Sequence, residues 1–327
     1  MRDATTTPGI HRQASFSTLG SSATGQIRFA NKPLRRRQRT VGLVLPDLHQ
    51  PFCRNISERL HTALRARRCQ LLTLLTSAAQ SPVAIKQLAR RQRLSGIVYV
   101  APCDVSVAAH PVSHLPTIFI NNGPSVPGML NFGTDIEASG RAVAALFAES
   151  GHQRALYLAA GPRTHLSSGL ESGFLAELAA RGLDGLSHPL PQSDYASAVA
   201  ATEALFAVRR GAFSLRRSTG ADAAAGRAMS DLPDAVLAAS DEIAIAVIET
   251  LRHAIGLRVP DDVAVVGIDG SAEAERPSYR LTTIEPPIDA LIAETVTALF
   301  AGRRLQPATV RFPGVLRVRA TTLPSRR

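Results

Sequence analysis

Short apolar runs alternate with longer amphipathic segments from residue 41 onward. The first four runs are Val41–Leu45, Leu71–Leu75, Gly96–Val100 and Thr117–Ile120. Continuous apolar runs of this length, bounded by Pro, Gly or Asn, are typical of strands that are buried on both faces of a parallel sheet. Between them, residues 51–68 and 82–93 repeat apolar side chains at helical spacing. This βαβα order predicts a parallel sheet with right-handed crossovers.

A second series of the same kind begins near residue 136. Helices are predicted at 136–150, 168–181, 195–209 and 241–255, and strands at 154–159, 186–190, 235–238 and 263–268. The chain is therefore predicted to be an α/β protein with two tandem Rossmann-like parallel-sheet subdomains. Because parallel sheets bind ligands at the carboxyl ends of their strands, the crevice between the two subdomains is the expected binding site.

The positive charge is concentrated near the two ends of the chain. The 37 basic and 26 acidic residues give a net charge of +11, yet residues 1–40 hold eight of the basic residues and one acid. Four further arginines lie in residues 317–327, and the remainder of the chain is neutral. This distribution predicts that the basic leader, rather than the body, meets an acidic partner such as DNA. The alternative is a solvated, disordered leader with no partner.

Several classes of protein find no support in the sequence. There is no secretory signal and no apolar run long enough to span a membrane, and three cysteines give no disulfide framework, so we expect a cytoplasmic protein. No glycine-rich phosphate loop, nucleophile elbow or metal-ligand motif is present. We therefore expect neither a cofactor nor a metal, and no catalytic residues.

Six motifs follow one another in order between about residues 40 and 320. They are Thr40–Asp47 with Gln50–Phe52, Glu149–Arg154, Gly173–Phe174, Ala238–Ala244, Leu257–Asp269 and Leu281–Ile284. Together they resemble the lactose-repressor (LacI/GalR) family of bacterial transcription regulators. The resemblance implies two periplasmic-binding-protein-like subdomains, a small effector in the cleft between them, and a homodimer.

The resemblance also implies how the chain divides. Residues 1–40 would form a basic leader with a remnant hinge. The N-terminal effector subdomain would comprise residues 41–135 plus about 285–312, and the C-terminal one residues 136–284 plus about 313–322.

The family's effector site transfers to several positions of this chain. Tyr195 matches a stacking aromatic, and Asp269 matches an aspartate that accepts ligand hydroxyls. Asn121 stands where Asp is common, and Ser240 where Asn or Ser occurs. Asp241 is a further candidate, although its position at a helix start also predicts an N-cap or first-turn role.

Three positions depart from the family pattern or match it only in part. Phe52 matches the first aromatic of a P-F-F motif, but the second, which usually faces the ligand, is Cys53. Leu170 stands where an arginine usually reaches the ligand. Without that forked donor a charged or strongly polar ligand is disfavoured, and the pocket is expected to be more apolar than in relatives. The effector class implied by the resemblance is a sugar, a nucleoside or a similar small molecule. Arg163 or Arg141 is a candidate to replace the missing arginine.

The leader retains only an outline of the family's DNA-reading parts. Asn31–Leu34 followed by three arginines resembles the hinge helix, although Pro33 prevents a helix from running through it. The candidate DNA-binding residues are Lys32, Leu34, Arg35, Arg36 and Arg37. No helix-turn-helix pattern can be drawn through Thr5–Gly25. We expect either a repressor-type regulator whose absent or degenerate headpiece impairs direct DNA reading, or a small-molecule binding module that dimerises with a full-length relative.

Overall fold

The computed structural model describes residues 39–46, 48, 50–75, 82–100, 115–121, 129–161, 164–206, 232–301 and 308–323. Within these ranges, six parallel strands form the first lobe. The strands are β1 (Thr40–Leu45), β2 (Gln70–Leu75), β3 (Gly96–Val100), β4 (Thr117–Ile120), β5 (Leu130–Asp135) and β11 (Ala308–Pro313), in the order β11-β5-β4-β3-β1-β2. Strands β3 and β4 are fully buried, as their uninterrupted apolar sequences require.

Helices α1 (Pro51–Ala66), α2 (Pro82–Arg91) and α7 (Ile288–Phe300) belong to the first lobe. Helix α1 begins at a proline, whose fixed φ and missing N–H suit the first helical turn. Its buried residues recur at helical spacing and pack with those of α7 in one core. Helix α2 contributes to a second core on the other face of the sheet.

The second lobe is another six-stranded sheet, in the order β12-β10-β9-β8-β6-β7. Its strands are β6 (Arg154–Ala159), β7 (Asp184–Pro189), β8 (Ala235–Ala238), β9 (Ala264–Ile268), β10 (Thr282–Glu285) and β12 (Val315–Arg317). Only the edge strand β12 is antiparallel to its neighbour. Its helices are α3 (Ile136–Glu149), α4 (His165–Ala180), α5 (195–206, as far as it is described) and α6 (Asp241–Glu249), which continues through a π-helical turn at Thr250–Ile255.

The described chain passes between the two sheets at three places. These passages lie between β5 and α3, between β10 and α7, and between β11 and β12, where Gly314 alone separates the strands. These three segments are the expected hinge between the lobes, because short connections between rigid lobes absorb most of a hinge motion.

The structure confirms the predicted fold class of two tandem parallel-sheet lobes. Strand β5 was not predicted, because Asn131, Gly133 and Thr134 interrupt its apolar pattern, although Leu130–Thr134 are all buried. No helix in the described part of the chain is long and apolar enough to cross a lipid bilayer.

Candidate functional site

A cavity of about 200 Å³ lies between the lobes, at the carboxyl ends of strands from both sheets. Its polar lining residues are Gln50, Asn121, Thr134, Thr164, Ser167 and Asp269. Its larger apolar lining residues are Phe52, Ile136, Tyr157, Leu166, Leu170, Ile268 and Ile284. Most of the wall is therefore apolar, and of the residues that line it only Asp269 can carry a charge.

Two segments of the first lobe supply its wall of the cavity. Phe52 is in the first turn of α1, two residues after Gln50, the N-cap residue. Asn121 follows β4 with a left-handed φ of 53°, a conformation that asparagine tolerates better than most residues. Its side-chain oxygen accepts a 2.7 Å hydrogen bond from the backbone N–H of Thr134, which joins the ends of β4 and β5. This bond fixes the amide of Asn121 beside the cavity.

The first turn of α4 forms part of the wall in the second lobe. Thr164 is the N-cap and shares a capping box with Ser167: the backbone N–H of Ser167 donates to Thr164 Oγ1 at 3.1 Å, and the N–H of Thr164 donates to Ser167 Oγ at 2.8 Å. Leu170, 2% exposed, lies one turn further along the same helix. Because the capping box fixes the start of α4, these side chains meet the cavity in a set geometry.

Asp269 follows β9 and lines the cavity. Its φ of 122° is rare for a residue other than glycine, and its backbone N–H donates to the carbonyl of Ile284. Burial raises the pKa of Asp269 well above its ordinary value, and the negative charges of Asp241 and Glu242 raise it further. A carboxyl group with a raised pKa can donate as well as accept a hydrogen bond, which suits ligand hydroxyls.

Asp241 is the buried neighbour of Asp269, and it does not line the cavity. Its carboxylate accepts hydrogen bonds from the hydroxyl of Thr283 at 2.5 Å and from the backbone N–H of Ser271 at 2.7 Å. Burial raises the pKa of Asp241 to about 6, although these hydrogen bonds oppose the shift. Asp241 therefore ties β10 and the segment after β9 to the start of α6.

The structure brings four of the eight expected effector residues to this cavity. Phe52, Asn121, Leu170 and Asp269 line it, whereas Cys53, Tyr195, Ser240 and Asp241 do not. Ser240 is the N-cap of α6, and its side chain accepts a hydrogen bond from the N–H of Ile243.

Cys53 lies away from this cavity. Cys53 is fully buried in the core of the first lobe with Ile56 and Leu60. Adjacent helical residues point about 100° apart, so when Phe52 faces the cavity Cys53 turns into the core.

Tyr195 is also placed elsewhere by the structure. It is 40% exposed at the start of α5, and its hydroxyl donates to the carboxylate of Glu249 at the end of α6. Tyr279 donates to the same carboxylate, and these two hydrogen bonds hold the pKa of Glu249 below its ordinary value. In this structure Tyr195 therefore lies outside the cavity, hydrogen-bonded to Glu249.

Arg141, one candidate to replace the missing arginine, forms an exposed 2.7 Å ion pair with Glu137 instead. The other candidate, Arg163, lies outside the described residues. So do the five candidate DNA-binding residues, Lys32, Leu34, Arg35, Arg36 and Arg37.

Several lining residues were not predicted from the sequence, of which Gln50, Thr134, Thr164 and Ser167 are polar. Thr134 was not predicted because it lies in β5, a strand that the apolar pattern did not predict. The Thr164 and Ser167 pair was visible as a Thr-x-x-Ser sequence before an apolar helix, which is close to the usual capping-box pattern.

The chemistry of the lining fits binding better than catalysis. None of the lining residues is a His, Cys, Lys or Arg, and no nucleophile with an adjacent base is among them. The described ranges also contain no group of three or more His, Cys, Asp and Glu residues that could hold a metal ion.

The described chain has a periplasmic-binding-protein-like fold. Three segments join its two parallel-sheet lobes, and a cavity lies at the carboxyl ends of their strands. Sequence comparison agrees: residues 38–209 match the family described as periplasmic binding proteins and sugar binding domain of the LacI family, and residues 144–322 match the periplasmic binding protein-like domain. The chain belongs to the LacI/GalR family of transcriptional regulators.

The relatives are regulators rather than enzymes. An HTH-type transcriptional regulator of Streptomyces limosus is 27% identical over 307 residues, covering 89% of this chain and 82% of its own length. The regulator MalR of Streptomyces coelicolor is 25% identical over 279 residues, covering 82% and 76%.

Solved structures share the fold. The lac repressor dimer bound to operator and an anti-inducer has a TM-score of 0.71 at 18% identity and covers 92% of this chain and 100% of its own. A LacI-family regulator from an Arthrobacter species, in complex with lactose, has a TM-score of 0.68 at 21% identity and covers 88% and 100%.

Proposed function

We propose that the protein is an effector-responsive transcriptional regulator of the repressor type, which binds a small neutral molecule between its lobes. The observation that carries this proposal is the cavity itself. Its wall takes residues from the strand ends of both lobes, and one ionisable side chain, Asp269, lies among apolar and neutral polar groups.

The lining favours a ligand with one hydroxyl-rich edge and one apolar face. Asp269 and Asn121 offer hydrogen bonds from opposite lobes, while Phe52 and Leu170 offer apolar surface. With leucine at position 170 no forked cation is present to balance a carboxylate or a phosphate there. The volume of about 200 Å³ is below the range of about 300–1,000 Å³ typical of drug-sized ligands, so a sugar or a nucleoside is of suitable size.

Closure of the lobes would connect binding to regulation. A ligand that contacts Asn121 in one lobe and Asp269 in the other stabilises the closed arrangement by its differential affinity for that arrangement. In a homodimer, closure changes the spacing between the two segments that enter DNA. The arginine-rich leader then contributes sequence-independent phosphate contacts, and direct reading of bases is weak.

Thermal unfolding in the presence of neutral mono- and disaccharides and nucleosides tests the proposal. A compound at a hundred times its Kd stabilises the fold by about 2.7 kcal/mol. Asp269→Gly, which removes both side-chain oxygens and suits the φ of 122° at this position, should remove most of that stabilisation. Asp289→Asn changes an exposed aspartate of the first lobe and should leave it intact.

Two results would contradict the proposal. The first is that no compound of these classes stabilises the protein. The second is that a compound stabilises Asp269→Gly as well as it stabilises the unchanged protein, which would place its site elsewhere. If binding is found but DNA affinity does not respond to it, the protein is a binding module without regulatory action of its own.

A further inference from the structure

Seven exposed arginines lie at the edge of the first lobe where strands β1, β2 and β3 begin, and we call this surface the arginine face. They are Arg39, Arg65, Arg67, Arg68, Arg90, Arg91 and Arg93. The body of the chain between the basic leader and the last eleven residues is neutral in total. This neutrality is an average, because residues 41–100 contain nine basic and two acidic residues.

The sheet topology gathers these arginines at one edge. Thr40 pairs with Gln70 across β1 and β2, and Val41 pairs with Gly96 across β1 and β3, so the segments that lead into the three strands are neighbours. The N–H of Gln70 donates to the carbonyl of Arg39 at 2.9 Å, and the N–H of Ser95 donates to the carbonyl of Thr40 at 2.7 Å. Arginines from three different segments therefore share one surface.

Side-chain contacts within the face show the same convergence. The guanidinium carbons of Arg39 and Arg67 lie 5.8 and 5.7 Å from the centre of the Phe300 ring, at the end of α7. Two cations on one aromatic ring are held by cation–π attraction despite their mutual repulsion. The ring thereby fixes part of the charge of the face in place.

The face lacks carboxylate partners among the described residues. None of the seven arginines forms an ion pair there, whereas the nearby Arg59 pairs with Asp289 at 3.4 Å. Arg65, Arg90 and Arg91 occupy the last turns of α1 and α2, where cations complement the helix dipole.

Helix dipoles do not account for the whole set. Arg68 and Arg93 follow the ends of α1 and α2 with φ values of 58° and 51°, in the left-handed region that favours glycine. An arginine there costs about 1–2 kcal/mol in backbone strain and adds to the repulsion.

We infer that the arginine face binds the phosphate backbone of double-stranded DNA. Guanidinium groups match phosphate oxygens in a forked geometry, and seven of them on one edge can contact a row of phosphates. Arg39 follows the leader's Arg35–Arg37 in the sequence with one residue between, so the leader's basic run continues into the face. The curated relatives are HTH-type regulators, whose partner is DNA. The inference adds phosphate contacts on the effector-binding lobe to those that the leader makes.

The test is the salt dependence of DNA binding by the full chain in the absence of any effector. A fluorescent random-sequence duplex of about three helical turns is titrated with protein between about 50 and 200 mM salt. The test variant is Arg65→Gln/Arg68→Gln/Arg93→Gln. The control is Arg181→Gln/Arg276→Gln/Arg280→Gln, which removes the same charge from the second lobe and includes one arginine, Arg280, with positive φ.

Loss of three phosphate contacts should reduce the slope of log K against log salt by about 2.7 in the test variant, and by little in the control. Equal reductions in both variants would show that net charge alone governs binding and would overturn the inference. If the slope of log K against log salt is unchanged in both variants, all phosphate contacts belong to the leader, and this too would overturn the inference. Thermal melting checks that each variant is folded, and if the test variant melts early the single change Arg65→Gln, expected to reduce the slope by about 0.9, replaces it. This test of DNA binding does not depend on the thermal screen for an effector, so a screen that finds no ligand would leave its outcome unchanged.

Discussion

Gly140 of α3 and Gly173 of α4 place the two helices in backbone contact. A Cβ on Gly140 would lie 2.8 Å from the backbone nitrogen of Phe174, and a Cβ on Gly173 would collide with the carbonyl oxygen of Glu137. Helix α4 carries Ser167 and Leu170 into the cavity, and α3 begins where the chain enters the second lobe. The glycine pair therefore sets the distance between one wall of the cavity and the connection between the lobes.

Gly173→Ala should destabilise the protein by about 1–3 kcal/mol, because the added methyl meets backbone atoms that cannot move independently. Denaturant unfolding measures the loss. Gly169→Ala on the same helix is the control: its Cβ would meet only one side-chain atom, the Cγ2 methyl group of Ile136, at 3.0 Å, and alanine favours the helix. Equal stability of the two variants would contradict the close packing of α3 and α4.

The sequence predicted those elements whose burial follows one simple pattern. Strands β1, β3 and β4 are continuous apolar runs, and α1 has a clear apolar stripe. Strand β5 has buried Asn131, Gly133 and Thr134 instead. Gly133 is present because the guanidinium of Arg311 occupies the space of a Cβ, a contact between distant parts of the chain that no local pattern reveals.

The expected effector residues that line the cavity include two that directly follow a strand. Where the direction of a side chain from a helix determines what it contacts, the expected residue lies elsewhere. Asp269 and Asn121 follow β9 and β4 directly, so their backbones lie at the edge that holds the cavity. Tyr195 depends on the orientation of a helix start, and there the hydroxyl finds Glu249. Local sequence does not encode that choice, since it depends on a partner 54 residues away.

Stability should fall as pH rises through the folded-state pKa of Asp241. Burial raises this pKa to about 6, above its ordinary value of 3.8, so the folded protein binds the proton more tightly than the unfolded chain. The stabilisation is complete below about pH 4 and is lost as pH rises past about 6, by up to about 3 kcal/mol. Chemical denaturation across this range measures the change.

Asp241→Asn should make this dependence shallower, and the remaining slope should come from Asp269, whose pKa is also raised. The amide can accept from Ser271 and donate to the hydroxyl of Thr283, so the local hydrogen bonds are kept without a charge. Asp261→Asn, at an exposed aspartate of the same lobe, should leave the curve as it is. If the stability of the variant falls with pH as steeply as that of the unchanged protein, the titration of Asp241 is not the cause of the pH dependence.

Gly133 and Arg311 should be coupled in stability. Gly133→Ala places a methyl against the guanidinium of Arg311, whose Nη1 is buried and has no hydrogen-bond partner among the described residues. The single change should cost about 1–3 kcal/mol. Adding Arg311→Met should restore most of the loss, because it removes both the collision and a buried donor that lacks a partner. Strictly additive effects in denaturant unfolding would contradict this contact.

Tyr195→Ala and Phe52→Ala should affect ligand binding very differently. Phe52 lines the cavity, and its truncation removes apolar contact area worth about 1.5–3 kcal/mol when fully buried, so affinity should fall about tenfold or more. Tyr195 is hydrogen-bonded to Glu249 outside the cavity, so its truncation should change the affinity by less than about twofold. Calorimetry with the neutral sugar or nucleoside that the thermal screen selects makes the comparison. If Tyr195→Ala lowers the affinity as much as Phe52→Ala does, ligand binding must break the bond to Glu249 and move Tyr195 into the cleft. The stacking contact implied by the family resemblance would then belong to the closed, ligand-bound form.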